Sequence, residues 1–69
     1  MDLTAATYQK RVAYVPRHVE KLPHPDVEYG YVSSTNGQYI FVKFDKQLDK
    51  FGWDETTSQA CDPDTLILV

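Results

Sequence analysis

The stretch from Val27 to Asp45 constrains the fold more than any other part of the chain. Two runs rich in β-branched and aromatic residues, Val27-Glu28-Tyr29-Gly30-Tyr31-Val32-Ser33 and Tyr39-Ile40-Phe41-Val42-Lys43-Phe44, flank Asn36-Gly37. Asn-Gly between such runs is a hairpin signal, because both residues accept the positive φ of a tight reversal. The turn sets the register. A two-residue turn at Asn36-Gly37 pairs Val32 with Phe41 and puts Tyr29, Tyr31, Ile40, Val42 and Phe44 on one face. A three-residue turn, Thr35-Asn36-Gly37 with Gly37 left-handed, pairs Val32 with Ile40. It gathers Gly30, Val32, Ile40, Val42 and Phe44 on one face and Tyr29, Tyr31, Tyr39 and Phe41 on the other. A slip of one residue exchanges the faces completely. The second register is preferred, since it collects aliphatic residues inside and leaves tyrosine hydroxyls near water.

The remaining pattern extends this hairpin into a sheet. Val12 and Tyr14 alternate with Ala13 and Val15 in a strand over Arg11 to Val15, which Pro16 ends by removing a ladder donor. Residues 17–26 read as a loop with a turn at His24-Pro25-Asp26, and residues 1–9 as a lead-in too short to be helical alone. Residues 46–58 read as an acidic loop carrying Gly52 and the single tryptophan, Trp53. A short strand over Thr57 to Ala60, a turn at Asp62-Pro63-Asp64 and a closing strand over Leu66 to Val69 complete five strands. A chain of 69 residues supports one core and one domain. The expected architecture is all-β: a small five-stranded antiparallel barrel spanning residues 1–69. Its core is expected to hold Val12, Tyr14, Gly30, Val32, Ile40, Val42, Phe44, Leu66 and Leu68.

The order of these segments resembles known modules. Tyr14-Val15-Pro16, His24-Pro25-Asp26, Gly30-Tyr31-Val32-Ser33-Ser34, Phe41-Val42-Lys43-Phe44-Asp45 and Pro63-Asp64-Thr65-Leu66-Ile67 are similar to small phage- and prophage-encoded proteins of uncharacterised function. They also resemble KOW and Tudor modules, which are SH3-like barrels. The resemblance implies a five-stranded SH3-like barrel over roughly residues 11–68 and a binding role, such as a phage accessory factor acting on host machinery in the bacterial cytoplasm. KOW modules commonly bind RNA or ribosomal and transcription proteins, and Tudor modules bind methylated side chains in aromatic cages. No site residue of either family transfers to this chain.

Charge separates the binding classes. The net charge is −3, with residues 1–23 at +2 and residues 45–69 at −4. An acidic domain is poorly suited to phosphate neutralisation, so nucleic acid is the less favoured partner. If nucleic acid does bind, Lys10, Arg11, Arg17, Lys21 and Lys43 are the candidates, with tyrosines stacking on bases. The favoured partner is a protein. Interface cores are enriched in aromatic residues, so Tyr29, Tyr31, Tyr39, Phe41 and Trp53 are the candidate docking residues. A homo-oligomer joined at a sheet edge or through the tyrosine face is a further alternative. No run approaches the length of a membrane span, the N-terminal residues carry no secretory signal, and the single Cys61 has no internal disulfide partner.

Catalytic and metal chemistry find little support at this level. His18, His24, Asp26 and Cys61 are metal-capable types, but His-x5-His with a distant cysteine matches no common zinc spacing. They read as loop residues bonding to backbone and a small packed thiol, so no cofactor or metal is expected. Asp62 beside Cys61 opposes thiolate formation, which argues against a cysteine nucleophile. Asp45, Asp49, Asp54 and Glu55 read as a solvated acidic surface, and Gly30, Gly37 and Gly52 are too isolated for a phosphate loop. Gly30 is expected at a bulge or tight bend. The expectation is a non-enzymatic module.

Overall fold

A computed structural model describes all residues, 1–69. Five antiparallel strands form one curled sheet: β1 (Arg11–Tyr14), β2 (Glu28–Thr35), β3 (Ile40–Phe44), β4 (Gln59–Cys61) and β5 (Leu66–Leu68). Their spatial order is β4-β3-β2-β1-β5, so the sheet curls into a half-barrel with β4 and β5 at its edges. A helix, α1 (Asp45–Glu55), follows β3 directly, and 3-10 turns occupy Leu3–Ala5 and Pro63–Thr65.

The hairpin forms with the expected faces and a different register. Val32 pairs with Val42 and Gly30 with Phe44, whereas Ser34 pairs with Phe41 and Thr35 with Ile40. Neither turn expected from sequence is used, because residues 36–39 form a four-residue connection. Asn36 organises it through its side chain, whose Oδ1 accepts the N–H groups of Gln38 at 2.9 Å and Tyr39 at 2.8 Å. Gly37 takes φ 86°, the left-handed conformation expected of it. The register change leaves Ser33 as a bulge, and its hydroxyl donates to the carbonyl of Phe41. Relative to the preferred register, Val32 has moved by two positions along β3. A shift of two preserves the faces, because side chains alternate with period two.

The inner face therefore carries the core. Val12, Val32, Ile40, Val42, Phe44 and Leu66 are buried together with Ala6 and Cys61, and Tyr14, Leu3 and Met1 pack against them. Leu68 differs from expectation. It pairs with Val12, yet it is 47% exposed, since β5 is an edge strand with no neighbour on its far side. The lead-in contributes more than its length suggests. Ala6 is buried in the core, and the Gln9 N–H donates to the Val32 carbonyl at 2.7 Å while the Val32 N–H donates to Lys10.

Gly30 is not at the bulge. It sits mid-strand between Val12 and Phe44, where an added Cβ would stand 2.6 Å from the Lys43 carbonyl oxygen. The absence of a side chain is what lets β3 pass so close.

The expected acidic loop 46–58 is instead largely helical. Asp45, Lys46, Gln47, Leu48 and Lys50 are compatible with a helix, and Asp45 in the first turn complements its dipole. Gly52 breaks it with φ 75°, so Trp53–Glu55 form a separate final turn. The helix buries no residue fully, so it is positioned by contacts at its ends. No helix is long and apolar enough to cross a membrane.

Candidate functional site

The outer face of the sheet assembles a row of aromatic rings bridged by cations. Arg11 on β1 lies directly opposite Tyr31 on β2, and Tyr29 is two positions along the same strand. The Arg11 guanidinium sits 4.6 Å from the Tyr31 ring centroid and 5.5 Å from that of Tyr29. Such contacts are worth about 0.5–1 kcal/mol each at partly exposed sites. Arg11 is also held in a bidentate pair with Asp45 at 2.7 and 2.8 Å, which ties the start of α1 to the sheet. That hydrogen bonding raises the Arg11 pKa and secures its charge.

Lys43, opposite Tyr31 on the other side, continues the row. Its ammonium lies 4.6 Å from the Trp53 ring centroid and donates to the Trp53 carbonyl. The Trp53 ring meets Tyr8 of the lead-in edge to face, with centroids 5.6 Å apart. The sequence Tyr29, Arg11, Tyr31, Lys43, Trp53, Tyr8 thus runs across one surface. Between Tyr31 and Trp53 lies a shallow socket of about 270 Å³ lined by Gln9, Tyr31, Leu48 and Trp53. It is sized for one side chain rather than for a cofactor.

The sequence-derived docking residues divide accordingly. Tyr29, Tyr31 and Trp53 belong to this row. Phe41 is half-buried on the same face and lies opposite Ser34 and Ala60, while Tyr39 is exposed in the hairpin connection. Tyr8, Leu48 and Gln9 were not among the expected residues. Their signal emerges only once β1 is paired with β2 and 45–51 is helical, because each comes from a segment that lacks strand periodicity.

The candidate phosphate-binding cations are scattered and partly engaged. Arg11 is paired with Asp45, Arg17 with Asp62 at 3.2 Å, and Lys43 with Trp53. Lys10 and Lys21 are exposed. The free edge of β5 leaves Ile67 and Leu68 exposed, which is where an edge-to-edge copy would add.

The metal-capable residues are also partly gathered. The Asp26 N–H donates to His24 Nδ1 at 3.0 Å, so His24 bonds backbone as expected, whereas His18 departs from that expectation and contacts the Asp26 carboxylate at 2.7 Å. Cys61 is elsewhere, buried on β4, with its Sγ donating to the Gln59 carbonyl at 3.6 Å. Burial pushes its thiol pKa up, and Glu28 adds to the effect. The folded state therefore holds the thiol proton more tightly than the unfolded chain does. Its contribution to stability is present below the ordinary thiol range and is lost as pH rises through the raised value. Iodoacetamide at neutral pH is expected to label Cys61 slowly in the native protein and rapidly in urea. Equal rates in the two states would contradict this placement.

Comparison with protein-family models, curated proteins and solved structures finds no match for this chain.

Proposed function

We propose that this chain is a non-enzymatic, protein-binding module of the SH3-like barrel type, docking a partner segment on the outer face of β2. One observation carries the reading: Tyr31 and Trp53 border a socket sized for one side chain, and Tyr29 extends the same aromatic surface through Arg11, the neighbour it shares with Tyr31. Aromatic rings supply large contact area at low side-chain entropy cost, and such clusters dominate binding energy at protein interfaces. Arg11 and Lys43 contact the rings through cation–π interactions, so the face is organised before a partner arrives. The partner chemistry that fits is an extended segment offering one aliphatic or proline side chain to the socket. A phage accessory factor acting on host machinery in the bacterial cytoplasm is the biological setting proposed with it, on the sequence resemblance alone.

Affinity capture from a host lysate, with and without nuclease, tests the class of partner. A protein retained after nuclease treatment by the native chain, and lost with Tyr31→Ala, supports the reading. Retention that depends on nucleic acid contradicts it. For nucleic acid itself, Arg11 is held by Asp45 and Arg17 is paired with Asp62. Gel-shift titration with single-stranded RNA or duplex DNA at physiological salt is expected to give only weak, salt-sensitive association. Submicromolar binding would transfer the function to Lys10, Arg11, Arg17, Lys21 and Lys43.

A further inference from the structure

The loop joining β1 to β2 gathers three potential ligands that play no part in the docking face. His18, His24 and Asp26 each present one ligand atom, and these atoms all lie within 4.8 Å of one another. We infer that this loop is a zinc site, with one imidazole nitrogen from each of His18 and His24 and a carboxylate oxygen from Asp26 as its protein ligands.

The local backbone explains why the three converge. Pro25 fixes φ in the turn His24-Pro25-Asp26, which the Val27 N–H closes on the His24 carbonyl at 3.1 Å. His18 comes from a second turn just beyond β1, closed by the Val19 N–H on the Pro16 carbonyl at 3.0 Å. The Tyr14–Glu28 pairing holds the two ends of the loop together, so both turns face each other. The His18 and His24 rings then meet edge to face with centroids 5.8 Å apart.

The donor set suits zinc. Two imidazoles and one carboxylate supply three ligands to a tetrahedral ion and leave one position for water or a partner's donor. Zinc–ligand bonds of about 2.0–2.2 Å place neighbouring ligand atoms roughly 3.4 Å apart, so binding opens the His18–Asp26 contact and draws the wider pairs inward. Those are movements of roughly 1 Å on that geometry, by side chains that are 62% and 54% exposed for His18 and Asp26. Bound zinc would exchange the two exposed hydrogen bonds within the trio for metal bonds and staple the two ends of the loop.

Isothermal titration of the untagged, chelator-treated protein with zinc chloride tests the site, together with imidazole nitrogen spectra. The expected result is one zinc per chain, with the His18 and His24 ring nitrogens shifting on binding. Losing an outer-shell partner costs a metal site about ten- to hundredfold in affinity, so His18→Ala and His24→Ala are each expected to cost at least tenfold. Asp26→Asn should weaken binding in the same direction, whereas Cys61→Ser should leave it unchanged. All three loop residues are away from the core, so far-UV circular dichroism should match the native protein. Absence of zinc uptake at stoichiometric protein would overturn the site, as would uptake that survives the His18→Ala/His24→Ala double variant.

Discussion

Gly30→Ala is expected to lower stability by about 2–3 kcal/mol and the melting temperature by roughly 10 °C or more, although it adds a single methyl group. The methyl would meet the Lys43 carbonyl oxygen at 2.6 Å, Val42 Cγ1 at 2.7 Å and Phe44 Cα at 3.1 Å. Two of those atoms belong to the backbone of β3. Retreat would separate β3 from β2 where Gly30 pairs with Phe44, and would disturb the buried Val42 and Val32 beside it. Ordinarily, replacing glycine by alanine gains about 0.4–1 kcal/mol by restricting the unfolded chain, so the clash outweighs a favourable effect. Thermal and urea unfolding monitored by circular dichroism measure the outcome. A melting temperature within about 2 °C of the native value would mean that β3 does not approach Gly30 this closely.

Tyr31→Ala and Trp53→Ala carry the second large effect, on binding instead of folding. Each removes one wall of the socket, and aromatic anchors of this kind cost on the order of 2 kcal/mol or more when truncated. That corresponds to about a thirtyfold weaker Kd for the captured partner. Neither residue is in the buried core, so the fold should persist in both variants. Tyr39→Ala is the informative control. Tyr39 is aromatic and more exposed than the half-buried Tyr31 and Trp53, but it lies in the hairpin connection outside the row, so its loss should change Kd little. Equal weakening by Tyr39→Ala would assign the effect to general surface hydrophobicity.

The hairpin was readable because its two sources of information agree. Asn36-Gly37 marks the reversal, and the alternation of Val32, Ile40, Val42 and Phe44 with tyrosines and Phe41 sets the faces. The register was not readable to the residue. It depends on the Ser33 bulge, whose hydroxyl reaches the Phe41 carbonyl and the Ser58 hydroxyl, a residue 25 positions away. The helix is illegible in the sequence for a different reason. Leu48 and Phe51 are the only aliphatic or aromatic residues between Asp45 and Gly52, and Phe51 is exposed, so no apolar stripe announces it. Its position comes from Arg11–Asp45 and Lys43–Trp53, pairings between segments that only the folded sheet brings together. Of the docking face, Tyr29 and Tyr31 follow from alternation alone. Arg11 follows once the first strand is laid beside the second, and Tyr8 follows from neither.

The central claim is that the row of Tyr29, Tyr31 and Trp53 is the surface a protein partner occupies. Chemical-shift mapping of isotopically labelled protein titrated with its captured partner, or with the partner's binding segment, tests it most directly. The account predicts perturbations concentrated at Gln9, Arg11, Tyr29, Tyr31, Leu48 and the Trp53 indole N–H, with the inner-face residues Val12, Val32 and Ile40 nearly unmoved. Perturbations centred on Ile67 and Leu68 at the β5 edge, with the Trp53 indole unshifted, would contradict it.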